Sequence, residues 1–188
     1  MSDRDAHPLL ADIAARLARG NTADASLQAA LDRTLDWLGC AAGTIHDFDA
    51  RAGVLRLRAQ HNIPDAVRER VRLVPVGKGM AGLAAQRRVP VQVCNLQADL
   101  AGAAEPAARA TGMEGCIAVP ILAGDALCGV LGVAKPAAHT YGDHETELLL
   151  GVAAALAAFL GRDPAGAGDG RPAEVTVTRG MVIPPGPR

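Results

Sequence analysis

Hydrophobic positions along this chain fall first at helical spacing, then in alternation, and finally at helical spacing again. Leu9, Leu10, Ile13 and Leu17 recur every three or four residues, which predicts an amphipathic helix over residues 8–19. Gly20-Asn21 breaks it, and Thr22 or Asp24 can cap a second helix reaching Leu38. Leu27, Leu31, Leu35 and Leu38 form its apolar stripe, and Gly39 ends it. The period then shortens to two. Residues 41–48 and 54–59 read as antiparallel strands around the turn-rich stretch 49–53. In the second strand Leu55, Leu57 and Ala59 make a buried side, and Arg56 and Arg58 a wet one. Pro64 suits the first turn of a short helix through Val71, and residues 73–76 are extended. A glycine turn at residues 77–82 leads into a helix ending near Arg87. Residues 89–93 follow as a short strand, in which Pro90 argues for an edge or a strand start.

Residues 95–111 form a loop with a short helix around 106–111. Residues 115–122 and 126–134 then make an apolar hairpin with little alternation, the pattern of central strands covered on both faces. Asp143 caps a long helix to Leu160, with Glu145 and Glu147 near its positive end. Leu148, Leu149, Val152, Leu156 and Phe159 form one stripe of this helix, while Leu150, Ala153, Ala154 and Ala157 cover much of the rest. A helix apolar nearly all round needs cover on more than one side. The sheet supplies one side. The first helix, or the same helices of a second copy, supplies the other, and on this basis a homodimer is expected. After Gly161 the composition turns to Gly, Pro and Ala, so residues 162–188 read as a mobile tail with a short strand at 174–178. The organisation is thus an N-terminal helix (1–21), one domain (22–161) and a tail (162–188). Antiparallel strands flanked by helices define an α+β fold.

Composition narrows the function. The 188 residues are 49% hydrophobic, enough for one core, and 19 basic residues against 20 acidic ones leave a formal charge of −1. That balance gives neither nucleic acid nor an anionic membrane an electrostatic grip. Aromatics are only 2%, too few for base-stacking platforms. Arg68-Glu69-Arg70-Val71-Arg72 mixes its charges and reads as a solvated face. The start is polar and mixed in charge, unlike a signal peptide, and the apolar run 148–160 is too short to span a bilayer. A cytoplasmic location follows as the expectation. Cys40, Cys94, Cys116 and Cys128 are widely spaced with no CxxC, and read as buried thiols.

The order of elements, together with several junctions, resembles the GAF domain, a relative of PAS domains built on a central antiparallel sheet. Asn62-Ile63-Pro64 looks like that family's Gly-Ile-Pro junction, with Asn for Gly. Residues 74–82 (Val-Pro-Val-Gly-Lys-Gly-Met-Ala-Gly) resemble its helix-opening glycine turn. Arg88-Val89-Pro90-Val91, Val119-Pro120-Ile121 and the run 128–133 followed by Tyr141 and Asp143 are similar to further junctions. The resemblance covers residues 22–160. It implies a non-catalytic sensory domain that binds a small molecule and signals through a partner protein such as a histidine kinase.

The candidate binding segment is the turn Gly77, Lys78, Gly79, Met80, Ala81 and Gly82. Glycines allow the tight path, and the helix behind it presents unpaired N–H groups and a positive dipole end that suit an anion or a polar edge. The alternative is a turn that only packs against the sheet. It is no dinucleotide fingerprint, since the neighbouring strands are antiparallel and the later acidic residue is missing, and no Gly-Lys-Ser/Thr makes it a Walker loop. Some members of the family sense nitrate through helix-end amides, and a small anion of that kind is one ligand the resemblance implies. The cyclic-nucleotide signature is incomplete, with Ala134-Lys135, Tyr141 and Asp143-His144 at its positions. No cysteine stands in a bilin-attachment context, and for haem only His46 and His61 are candidates by strand position. The cofactor stays unknown.

The competing class is an enzyme or redox switch. Free methionine-(R)-sulfoxide reductase shares the GAF fold and carries a thiol in the glycine turn, where this chain has Ala81. The loop 95–111 holds no cysteine either, so catalysis is not expected. Cys94 and Cys116 would form a redox pair only if their strand ends are neighbours. The run His139 to His144 lacks metal-ligand helical spacing and reads as a loop, so no metal is expected. Ser2 and Ser26, the only serines, do not suggest a catalytic triad.

Overall fold

A computed structural model describes residues 3–19, 22–97 and 110–161 of the chain. The expected tail with its strand at 174–178 lies outside the described residues. So does most of the expected helix at 106–111, of which residues 110–111 belong to a turn.

Helix α1 (Asp3–Arg19) leads into α2 (Ala23–Leu38), and strands β1 (Ala42–Asp49) and β2 (Val54–His61) follow. Then come α3 (Asp65–Val71), β3 (Leu73–Pro75), α4 (Gly79–Arg87) and β4 (Val91–Val93). The hairpin β5 (Gly115–Ala123) and β6 (Ala126–Lys135) precedes the last helix, α5 (Asp143–Leu160). The strands form one sheet in the order β3-β2-β1-β6-β5-β4, with every neighbouring pair antiparallel. This is the α+β architecture that the pattern implied, with the central antiparallel sheet that the GAF resemblance implied.

Local chemistry explains most element ends. Thr22 Oγ1 accepts the N–H of Ala25 at 3.2 Å and starts α2, while the Gly39 N–H closes it on Leu35 O. Asn62 sits at φ 54, in the left-handed region that the family's glycine fills freely. Asn tolerates that region better than most residues, and its Nδ2 donates to Ala41 O at 3.1 Å.

Several expectations need correction. Helix α1 begins at Asp3 rather than Pro8, because residues 3–7 carry no apolar stripe from which a helix is read. Strand β4 begins at Val91, not Val89. Pro90 has no N–H to give the ladder, and Val89 is exposed. The start of α5 is capped at Gly142, whose N–H donates to Glu145 Oε2 at 3.2 Å, so Asp143 is the first helical residue instead of the cap. Of the two β2 arginines expected to face water, Arg56 keeps 39% of its side chain exposed but Arg58 keeps only 15%. Asp47 is 3% exposed and takes Arg58 at 2.7 Å and Arg56 at 3.2 Å, and Arg58 also reaches Asp24 of α2. A register shift between Ile45 and His46 leaves Arg58 as the extra residue of a bulge. That bulge places Leu55 and Ala59 in cores on opposite faces of the sheet, where strict alternation would give them one face.

Those two cores organise the molecule. On one face α1, α2 and α5 pack with Ile45, Ile117, Val119, Ile121, Leu131 and Val133. Leu149 of α5 meets that core fully buried, as do Leu9 and Ile13 of α1. The second side of α5 thus finds cover within the chain, from α1 and α2. On the other face a smaller cluster joins Leu55, Ala118 and Val130 to Met80, Ala84 and Ala85 of α4.

Candidate functional site

Alternation along β1 puts Ile45 on the helical face and Thr44 and His46 on the opposite one. There a cavity of about 150 Å³ opens between the sheet and the α3–α4 layer. Its floor is Thr44 and His46 of β1 with Gly132 and Ala134 of β6, and its roof is Val67, Arg70 and Val71 of α3. Leu96, Met113, Cys116 and Ala118 close one side.

The start of α4 closes another. Of the six turn residues singled out, Lys78, Gly79, Met80 and Ala81 line the cavity. Gly77 and Gly82 build the turn instead. Gly77 (φ 85) donates its N–H to Gly82 O at 2.8 Å, and a Cβ on Gly82 would run into the carbonyl oxygen of Pro75. The Lys78 N–H is held by Pro75 O, and the Gly82 N–H makes the first bond of the helix, to Lys78 O. Between them, the amides of Gly79, Met80 and Ala81 have no acceptor among the described residues. They are the unpaired donors that every helix start leaves, here delivered to a cavity wall.

His46 is the strongest polar feature of the floor. It is 2% exposed, and Nε2 lies 2.8 Å from Val71 O. A carbonyl can only accept, so Nε2 carries the proton. Nδ1 has no partner. Burial holds the imidazole below its usual range, although the Val71 carbonyl and Asp47 act the other way. Sequence reasoning named His46 only as a haem candidate. The signal that would have placed it in a ligand site was its alternation with Ile45. His61, the other candidate, lies at the surface with Nδ1 2.9 Å from Asp32 Oδ1.

The remaining candidates sit elsewhere. Lys135 Nζ pairs with Glu145 at 3.0 Å, and Tyr141 is buried in the helical-face core, so the partial nucleotide signature does not meet at the cavity. Glu145 is destabilised by burial, yet bonds from His139, Lys135 and the Gly142 N–H hold its carboxyl below the usual range. Among the described residues no group of three or more His, Cys, Asp or Glu could hold a metal ion. All four cysteines are free thiols, but the expectation that they are buried is corrected at Cys94, which is exposed, while Cys40, Cys116 and Cys128 are partly buried. Cys116 is paired in register with Val93, so Cys94 lies one position further on, where the next side chain turns to the other face. Burial pushes the Cys116 thiol up to about 12, and the Cys40 thiol, 3.6 Å from Tyr141 Oη, is raised by the same cause. Neither supplies a thiolate at neutral pH. No helix among the described residues is long and apolar enough to cross a membrane.

The architecture is that of an α+β domain with a cavity on one face of its sheet, and the family comparison agrees with that fold. The sequence profile of the GAF domain matches residues 20–160, and the chain belongs to that family. No curated protein sequence matches the chain. Solved structures share the fold at low identity. The GAF domain of an Acinetobacter phosphoenolpyruvate-protein phosphotransferase is 20% identical, with a TM-score of 0.71 over 86% of this chain and 95% of that one. Free methionine-R-sulfoxide reductase from Neisseria meningitidis, in complex with its substrate, is 18% identical, with a TM-score of 0.69 over 86% and 92%. A domain of a putative two-component sensor histidine kinase from Sinorhizobium meliloti is 21% identical, with a TM-score of 0.62 over 76% and 93%.

Proposed function

We propose that this GAF domain is a non-catalytic receptor: a small molecule enters the cavity under α3 and α4, and its occupancy shifts the arrangement that a partner protein reads. The observation that carries this is the meeting of three unpaired amides, at Gly79, Met80 and Ala81, with a mostly apolar cavity. A cavity of about 150 Å³ is the size that holds benzene, which favours a compact ligand over a nucleotide, haem or bilin. A small anion such as nitrate would use the same amides, with Lys78 beside them. A sulfoxide-reductase-like enzyme is the weaker alternative, because Ala81 offers no nucleophile and the nearby Cys116 thiol is held protonated.

Transmission to a partner, such as a histidine kinase, would run through the helical face. After packing, α1 still exposes Ala11, Ala14 and Ala18, and α5 still exposes Leu150, Ala154 and Ala158. These apolar stripes support a homodimer through the same helices, and light scattering checks it: a 19.2 kDa species at high concentration would discard the dimer. The receptor itself is tested by a thermal-shift screen of small anions and small organic acids, alcohols and amines. A compound at 100 times its dissociation constant adds about 2.7 kcal/mol, a visible shift. Stabilisation is expected to vanish in Ala118→Leu, which fills the cavity. A screen without a single stabilising compound would discard the reading.

A further inference from the structure

We infer that α3 is a lid over the cavity, latched by the His46 ring, and that it opens while the rest of the domain stays folded. As a gate for a ligand, the lid rests on the receptor reading. The two roof helices are held down very differently. Helix α4 buries Met80, Gly82, Ala84 and Ala85, and the Arg88 N–H closes it on Ala84 O. Helix α3 buries Val67 alone, and its N-cap residue Pro64 makes no side-chain bond. Asp65, Ala66, Arg68, Glu69 and Arg70 all stay exposed. The ion pairs of this segment, Arg68 with Asp65 at 2.8 Å and Arg72 with Glu69 at 3.7 Å, close on the segment itself. Few buried contacts and exposed backbone bonds mark a unit that opens at low cost.

Both ends of that unit are anchored to the sheet. Before it, the Ile63 N–H donates to Gln60 Oε1 at 3.2 Å, and Asn62 Nδ2 donates to Ala41 O at 3.1 Å. After it, Arg72 O accepts the Leu57 N–H at 3.0 Å. Between the anchors two contacts hold α3 down. One is the Val67 side chain, 2% exposed, and the other is the bond from His46 Nε2–H to Val71 O at 2.8 Å. Val71 O belongs to the last turn of α3, whose carbonyls find no partner inside the helix. The buried ring supplies that partner.

His46 otherwise has no polar task. Its Nδ1 is sealed by packing and has no partner, so the ring's one hydrogen bond among the described residues goes to α3. His46 and Val71 both line the cavity, and the bond therefore ties its floor to its roof. Lifting Val67 and Val71 uncovers the space beneath them. A molecule in contact with both would favour the seated lid, because those contacts exist only there.

Hydrogen exchange by NMR on the full chain, with no ligand added, tests the lid. The amides of residues 67–71 should exchange through an opening that low urea barely changes, since it exposes little surface. Those of Leu149 and Leu156 should quicken steeply with urea. Leu149→Ala should speed exchange in α5 and leave α3 as it was. His46→Leu removes the donor to Val71 O and should speed exchange in α3 about tenfold. His46→Gln, which offers a donor again, should bring it back toward the natural rate. Should His46→Leu fail to fold, the His46 Nε2–H proton in the natural protein decides, because it should exchange with the same urea dependence as the α3 amides. Exchange in α3 that follows α5 in urea and in Leu149→Ala would overturn the lid. An α3 unmoved by His46→Leu, a glutamine without rescue, or an Nε2–H released only on global unfolding would overturn the latch. None of these measurements involves a ligand, so their failure leaves the receptor standing, and a silent compound screen discards the receptor without touching the lid's motion.

Discussion

The two faces of the sheet are built by opposite rules. The helical face buries twenty-three hydrophobic residues in one cluster among the described residues, dominated by Leu and Ile, and the other face buries eight, of which three are alanines. On the first face α5 packs on β5 and β6, α2 packs on β1 and β2, and α1 packs against both helices. On the second, Gly132, Ala118 and Ala134 leave room beneath α3 and α4 that no large residue fills. The difference teaches where stability and where binding reside. A packed face holds the fold, and a face of small residues opposite a helix start holds space.

Substitutions break or sharpen this contrast. The largest effect is expected on the helical face, where Leu149→Ala should cost about 2–5 kcal/mol by chemical denaturation, since Leu149 is fully buried. Asp47→Ala should cost about 1.5–3 kcal/mol, because it removes the buried carboxylate that takes both Arg56 and Arg58, although Asp24 still holds Arg58. Ala118→Val, on the cavity side, should change stability by under about 1 kcal/mol, whereas Ala30→Val in the filled core should cost about 1–3 kcal/mol. Equal costs at the two alanines would mean that the second face is packed as tightly as the first.

Acid provides a gentler probe. The folded pKa of His46 lies below the ordinary histidine value of about 6.5, so the unfolded chain takes up the proton first as pH falls. The stability that His46 contributes in neutral form is therefore complete above that value and is lost as pH drops from it toward the folded value. Glu145 is also depressed, but its loss begins only below the ordinary glutamate value of about 4.3. The pH dependence of stability below the ordinary histidine value and above the ordinary glutamate value should flatten in His46→Gln. An unchanged slope would assign it to other groups. The smallest effect is chemical: iodoacetamide at neutral pH should label exposed Cys94 and spare Cys116, which labels only on unfolding.

Much of the fold was legible because its signals are local. Leu27, Leu31, Leu35 and Leu38 announce α2, and the apolar run of β5 and β6 announces strands covered on both sides. The turn before α4 was legible too, through its glycines. The bulge at Arg58 was not, since an extra residue in one strand shows only against its partner, and so the two arginines looked wet when Asp47 in fact draws them together. His46 was hidden for a related reason. Its role depends on a carbonyl twenty-five residues away, at Val71, which occupies one nitrogen and leaves the other bare. The segment 65–71 gave a helix by pattern, but nothing in it revealed that it roofs a cavity.

Amide NMR during titration with the most strongly stabilising compound tests the central claim most directly. The N–H signals of Gly79, Met80 and Ala81 should show the largest displacements, with those of the helical core, such as Leu31 and Leu149, nearly still. Displacements centred on the α1–α5 face, with the three α4 amides unmoved, would contradict the account.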